Sequence, residues 1–122
     1  MELLAVAAGG ATGSVLRYLI GRALDGAAAA FPWSTLLVNV IGCGLLGFLG
    51  ATLGTRWQVS PEFRAMLSIG VLGGFTTFST FGHQTAVLWR DGAVGAALAN
   101  VALNLFLGLA AAAVGWRLGR GL

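Results

Sequence analysis

The chain carries an unusual polar segment near its middle, GVLGGFTTFSTF at residues 70–81. This segment lies within a charge-free apolar stretch that runs from Ala65 to Trp89. Glycine and hydroxyl side chains weaken a helix, so we expect a helix that is broken near its middle. A break inside a membrane would free backbone carbonyls, which need a partner other than lipid and can bind a cation. The alternative is a kinked but continuous helix whose hydroxyls bond back to the preceding turn.

The composition of the whole chain indicates a membrane protein. Of its 122 residues, 57% are hydrophobic and 9% are charged, and the mean hydropathy is +0.88. Charged residues make up roughly a quarter of a typical soluble domain, and disordered chains are far less apolar than this one. A transmembrane helix needs about 20 apolar residues, and such stretches occur at about 3–24, 31–55, 63–89 and 92–116. We therefore expect one all-α membrane domain with four spans over residues 1–122.

The ends of the predicted spans carry aromatic and basic side chains. All four tryptophans fall at span ends, which is typical of the aromatic belt at a membrane interface; they are Trp33, Trp57, Trp89 and Trp116. Arg17 lies within two turns of the end of the first span, from where its side chain can reach the headgroups. Four arginines on one side against two or three on the other give a weak positive-inside signal. Such a chain can insert both ways, and two opposite copies could pair around a two-fold axis.

Small residues recur at a spacing of four in the predicted spans. Gly9 and Gly13 form one such pair, and Gly50 and Gly54 form another. The run from Ala110 to Ala113 gives the fourth span a smooth face. Small residues at this spacing let helix backbones approach closely, so they predict tight packing between spans.

Asparagines lie inside the predicted spans, where polar groups are costly without partners. Asn39 in the second span either bonds a neighbouring helix or donates to a polar pathway. Asn100 and Asn104 are four apart in the fourth span, so they share one face, and Gly108 continues that face by one turn. Two amides in line favour the wall of a pathway over simple interhelical hydrogen bonding.

Aromatic rings and the distribution of carboxylates narrow the choice of function. Phe78 and Phe81 share a face, and they either pack a core or turn their positive ring edges toward an anion. No aspartate or glutamate lies inside any predicted span. The donors available there are amides, hydroxyls and ring edges, which suit a small anion better than a cation. The sequence contains no familiar enzymatic motif and no concentrated basic face for nucleic acid, so neither an enzyme nor a nucleic-acid binder is expected.

These residues resemble the Fluc (CrcB-type) fluoride channel family along most of the chain, in order. The resemblance is carried by GGATGSVLRY at residues 9–18, PWSTLLVNVIG at 32–42 and, most specifically, GGFTTFSTF at 73–81. It implies a four-helix subunit that forms an antiparallel, dual-topology dimer with two fluoride pores. It also implies a multi-pass protein of the cell inner (plasma) membrane that exports fluoride passively and so protects a microbe from it.

The resemblance implies roles for individual residues as well. Asn39 would donate to fluoride in the pore, and the ring edges of Phe78 and Phe81 would line the anion path. The carbonyls of Gly73 and Thr76 from both subunits would hold a structural sodium ion on the two-fold axis. The other implied positions are Arg17 as a structural residue, Ser79 and Thr80 near the dimer centre, and Asn100, Asn104 and Gly108 on the fourth helix. Hydroxyl side chains are usual in the family on that fourth-helix face, where this chain has asparagines.

The sequence is also compatible with two other functions and with one other assembly. A small multidrug-type, proton-coupled transporter also has four spans, but it predicts a carboxylate in the first span, and none lies between Glu2 and Asp25. A non-transporting membrane subunit held together by its glycine patterns predicts no ion flux. A heterodimer with a related subunit is the alternative to pairing with a second copy of the same chain.

Overall fold

A computed structural model describes residues 1–26, 30–53 and 55–121, which fold into a bundle of helices. Their bounds are α1 (Glu2–Leu24), α2 (Trp33–Thr52), α3 (Pro61–Ala65), a π-helical segment (Met66–Val71), α4 (Leu72–Phe75), α5 (Phe78–Arg90) and α6 (Val94–Gly121). Four stretches are long and apolar enough to cross a membrane: α1, α2, the third segment (Pro61–Arg90) and α6. The prediction of four spanning helices is confirmed on these residues.

The third segment departs from α-helical geometry at two places, first in a π-helical stretch and then in two extended residues. Ser60 caps its start, since the Ser60 hydroxyl accepts a hydrogen bond from the Phe63 N–H at 3.2 Å. The π-helical segment follows α3, and α4 ends at Phe75. Thr76 and Thr77 are extended, with φ and ψ of −84° and 160° and of −154° and 119°. The helix resumes at Phe78, where the Thr77 hydroxyl accepts from the Thr80 N–H at 3.2 Å and caps α5.

Close packing of α1 on the third segment depends on glycines in both elements. A Cβ atom on Gly13 would collide with the Val71 carbonyl and lie 2.8 Å from the Phe75 nitrogen. A Cβ atom on Gly74 would lie 3.1 Å from the Ser14 nitrogen. The two backbones therefore touch directly, as small residues at a spacing of four allow.

A second close pair is formed by α2 and α6. A Cβ atom on Gly47 would lie 3.0 Å from the Ala112 carbonyl carbon, and one on Gly115 would lie 2.9 Å from that of Gly44. The small residues of α6 around Ala112 thus pack directly against the glycines of α2. Gly50 lies against the Trp116 ring, whereas Gly54 falls outside the described residues.

The outer surface of the described bundle is apolar. Large side chains of α1 and α6 are exposed over most of their length; examples are Val15, Leu19, Leu105, Phe106 and Leu109. In water such a continuous apolar surface would drive association, whereas lipid chains cover it without cost. The exterior therefore suits a bilayer, as the lengths of the helices do.

Replacing Gly13 with alanine is expected to destabilise the protein, and the matched control is Gly10→Ala on the same helix. The new methyl group of the Gly13 variant meets backbone atoms that cannot move aside, and overpacking of this kind costs about 1–3 kcal/mol. A Cβ atom on Gly10 meets nothing within 4 Å. Thermal unfolding in detergent should show a lower midpoint for Gly13→Ala alone. Equal midpoints would contradict the close packing of α1.

Candidate ion pathway

The extended residues between α4 and α5 are held by the side chain of Asn39. The Asn39 Nδ2 group donates to the Thr77 carbonyl oxygen at 3.1 Å, and the Thr77 N–H donates to Asn39 Oδ1 at 2.9 Å. Asn39 thus supplies both a donor and an acceptor to the peptide at which the helix is interrupted. An interruption within a membrane requires such replacement partners, because lipid provides none.

Three asparagines and a threonine continue from this contact as a hydrogen-bonded series. Asn39 Nδ2 also donates to Asn104 Oδ1 at 2.9 Å. Asn104 Nδ2 donates to both the backbone oxygen and Oδ1 of Asn100, each at 3.0 Å. Asn100 is completely buried, and its Nδ2 donates to the Thr85 hydroxyl at 2.9 Å. We call Asn39, Asn104, Asn100 and Thr85 the amide relay; it joins α2, α6 and α5.

The interruption leaves the backbone carbonyls of Gly73 and Thr76 without their usual helical donors. The Thr77 N–H, which would otherwise bond the Gly73 oxygen, donates to Asn39. The Thr80 N–H, which would otherwise bond the Thr76 oxygen, donates to the Thr77 hydroxyl. Gly73 is exposed and Thr76 is half-buried. The oxygens of Gly73 and Thr76 thus lack these two helical donors, and carbonyl oxygens are among the ligands that hard cations take.

Arg17 contacts another carbonyl at the end of α4. Its Nε group donates to the Gly74 oxygen at 3.0 Å, and the side chain is half-buried. The sequence suggested that Arg17 reaches the lipid headgroups. Its side chain instead binds the Gly74 carbonyl, because α1 packs directly against α4. A charged donor bound to a carbonyl is among the stronger hydrogen bonds in proteins.

Removing the Arg17 guanidinium is expected to weaken the fold at the interruption. Arg17→Met leaves the Gly74 carbonyl unsatisfied, which costs about 1–3 kcal/mol. Arg22→Met is the matched control, because Arg22 is exposed and lines the same cavity. We expect a lower unfolding midpoint for Arg17→Met only. A similar loss in both variants would indicate that general charge, rather than the contact with Gly74, stabilises the bundle.

A cavity of about 340 Å³ opens beside the interruption. Its wall carries two guanidinium groups, one carboxylate, hydroxyls and an amide. The polar residues lining it are Arg17, Tyr18, Arg22, Asp25, Ser34, Thr35, Thr77, Thr80 and Gln84. The Asp25 carboxylate is held at the start of α2 by the Ser34 hydroxyl and by the Ser34 N–H. Gln84 Oε1 is buried and has no hydrogen-bond partner among the described residues. The excess of positive charge favours entry of an anion.

The two phenylalanines of the third segment lie next to each other at the start of α5. The centroids of the Phe78 and Phe81 rings are 5.5 Å apart, and the ring planes are tilted by 53°. Phe78 is 82% exposed within the chain, whereas Phe81 is half-buried. Ser79 is exposed, and Thr80 accepts from the Thr77 hydroxyl at 3.0 Å. The ring edges are thus available beside a cluster of hydroxyl groups.

The sequence predicted most members of this site but not the partners they bind. Asn39, Asn100 and Asn104 come together, although they were predicted from two separate spans. The contribution of Thr85 was missed, and the signal for it was a hydroxyl side chain inside the third predicted span. That hydroxyl donates to the Phe81 oxygen at 2.8 Å and accepts from Asn100 Nδ2. Groups of histidine, cysteine and carboxylate side chains able to hold a metal are absent from residues 1–26, 30–53 and 55–121.

Four apolar spanning stretches, of which the third is interrupted by polar residues, define a multi-pass membrane protein. A sequence model of the family described as CrcB-like protein, Camphor Resistance (CrcB), matches residues 4–116. The chain belongs to this family.

Curated relatives extend over nearly the whole chain. A protein of Thermus thermophilus is 50% identical over 117 residues, which cover 95% of this chain and 93% of the relative. A protein of Rhodospirillum centenum is 50% identical over 106 residues, covering 86% and 84%. One of Rhizobium meliloti is 45% identical over 120 residues, covering 98% and 96%. Each of these relatives is named fluoride-specific ion channel FluC.

Proposed function

We propose that the protein is a fluoride-selective ion channel that lets fluoride leave the cell passively across its inner membrane. The observation that carries this proposal is the cavity with an excess of arginine, which ends at neutral amide and hydroxyl donors beside the interruption. All four carboxylates of the chain lie at or next to helix ends; they are Glu2, Asp25, Glu62 and Asp91. The names of the relatives support fluoride as the anion.

The proposed fluoride path runs from the cavity past the interruption of the third segment. Thr80 lies at the cavity wall, and Asn39 is bonded to Thr77 on that wall. Ser79 and the ring edges of Phe78 and Phe81 continue the path, and Asn104 and Asn100 stand behind Asn39. Dehydrating an anion is costly unless other donors replace its water. Neutral donors can do so while keeping binding weak enough for release.

The proposed assembly is a dimer of two copies inserted in opposite orientations. Phe78 is 82% exposed at the point where the third segment is interrupted. The nearby oxygens of Gly73 and Thr76 lack helical donors, and a second copy would double the number available to one cation. We propose that these oxygens hold a structural sodium ion between the copies, where its charge would offset part of the cost of a nearby anion. A related subunit in place of the second copy would meet the same requirements.

Fluoride efflux from liposomes tests the function directly. The purified protein is reconstituted into vesicles loaded with potassium fluoride or potassium chloride, and valinomycin is added to remove the membrane potential. A fluoride electrode should record rapid release that a pH gradient does not drive, with little release of chloride. Release driven by a proton gradient would instead indicate the multidrug-type transporter. Release no faster than from protein-free vesicles would contradict the channel.

Removing sodium is expected to reduce fluoride flux. Without a cation the freed oxygens of Gly73 and Thr76 repel each other across the proposed dimer, and unsatisfied carbonyls destabilise it. All vesicles contain potassium fluoride and valinomycin, so that potassium balances the charge of the fluoride that leaves. The remaining salt is N-methylglucamine in one set and sodium in the matched set, and the dimer fraction is measured by cross-linking. Flux and dimer fraction that are equal in both salts would contradict the sodium site while leaving the fluoride path untouched.

A further inference from the structure

We propose that Asn104 is a positioning residue for the permeating anion. Its Oδ1 atom accepts a hydrogen bond from Asn39 when no anion is present, and the anion accepts that hydrogen bond as it passes. This inference rests on the proposed fluoride path. Both N–H groups of the Asn39 amide already have protein acceptors, the Thr77 oxygen at 3.1 Å and Asn104 Oδ1 at 2.9 Å. An anion that takes a hydrogen bond from Asn39 must therefore replace one of these two oxygens.

The two acceptors of Asn39 are not equally replaceable. The bond to the Thr77 oxygen is one half of a two-point contact, because the Thr77 N–H donates back to Asn39 Oδ1 at 2.9 Å. Losing that bond would loosen the peptide at which the helix is interrupted. The bond to Asn104 is a single contact between two side chains. The Asn104 oxygen is therefore the acceptor that an anion displaces.

The rest of the amide relay keeps Asn104 in place during such an exchange. Its Nδ2 group stays bonded to the backbone oxygen and to Oδ1 of Asn100, each at 3.0 Å. Asn100 is completely buried and is itself fixed by the Thr85 hydroxyl. The Asn104 oxygen thus remains next to Asn39 and can return when the anion leaves.

This exchange sets the strength of anion binding. The anion gains one N–H donor while the protein loses one N–H to oxygen bond, so the net gain is small. Without the Asn104 oxygen one N–H of the half-buried Asn39 amide would be unpaired, which is unfavourable. An anion would then bind more tightly and leave more slowly, whereas conduction needs binding that is weak enough for release.

The test is the dependence of fluoride current on fluoride concentration in Asn104→Leu, a variant of similar size that has no acceptor. We expect the half-saturating concentration to fall by about fivefold to 150-fold, the range that follows from one unpaired donor, and the maximal current to fall with it. Asn104→Ala should shift the half-saturating concentration the same way if the leucine does not fit. Asn104→Asp keeps an oxygen at this position, so its half-saturating concentration should not fall.

A double variant separates positioning from a purely structural role. In the Asn39→Ala background the donor is gone, so adding Asn104→Leu should leave the half-saturating concentration unchanged. An equal fall in that background would overturn the inference, as would single variants that lose current without any fall in the half-saturating concentration. If the unmodified protein carries no fluoride at all, the proposed function fails first; if it does carry fluoride, these outcomes bear on Asn104 alone.

Discussion

Asn39→Asp is expected to reduce fluoride flux by about a hundredfold or more. The substitution replaces the Nδ2 donor with an oxygen that faces two acceptors, the Thr77 oxygen and Asn104 Oδ1. Each lost bond to a buried acceptor costs about 1–3 kcal/mol, and 1.4 kcal/mol corresponds to about tenfold. The new carboxylate also places a negative charge on the proposed path of an anion. Efflux from liposomes measured with a fluoride electrode gives the rate.

Asn39→Leu is the control that separates the charge from the lost hydrogen bonds. Leucine has a similar size and removes the same donor and acceptor, but it adds no charge. We expect it to slow efflux less than aspartate does, because repulsion of the anion is missing. Equal rates for the two variants would assign the whole effect to the lost hydrogen bonds with Thr77 and Asn104. Normal efflux in Asn39→Asp would show that Asn39 only ties α2 to the third segment.

The four spanning helices could be predicted from the sequence because their length is set by the thickness of the bilayer. Apolar stretches such as 31–55 and 92–116 favour a helix, because a helix bonds its own backbone groups where lipid offers no partner. The packing of Gly13 and Gly47 was also predictable in kind, since small residues four apart indicate close helices. Which helix each glycine meets depends on the arrangement of the bundle, and a periodic pattern does not contain that information.

The partners of the site residues could not be read from the sequence. Asn39 and Thr77 are 38 positions apart, and Arg17 and Gly74 are 57 apart. A polar residue in a span predicts that a partner exists, because an unpaired group in lipid is costly. It does not say whether that partner is an ion, a backbone carbonyl or another side chain. The hydrogen bonds of the amide relay are therefore visible only in the structure, although the sequence already indicated each of its asparagines as a candidate site residue.

Replacing the aromatic ring of Phe78 with an aliphatic side chain is expected to slow fluoride efflux strongly. Its ring is 82% exposed in the chain yet lies beside the interruption and 5.5 Å from the Phe81 ring. A phenyl ring carries positive charge at its edge, whereas an aliphatic side chain of similar volume does not. Phe78→Ile and Phe81→Ile should therefore slow fluoride efflux, by about tenfold for each 1.4 kcal/mol of ring-edge stabilisation that is lost.

Phe106→Ile is the matched control for these variants, because Phe106 is 68% exposed on α6 and lies outside the third segment. It should leave efflux unchanged, and all three variants should keep the oligomeric state of the unmodified protein on size-exclusion chromatography. A loss of assembly in Phe78→Ile would mean that the exposed ring packs against a partner. Intact assembly with slow efflux in both α5 variants, and normal efflux in Phe106→Ile, would assign the rings to the anion path, since Phe106→Ile makes the same change of volume and branching outside the third segment.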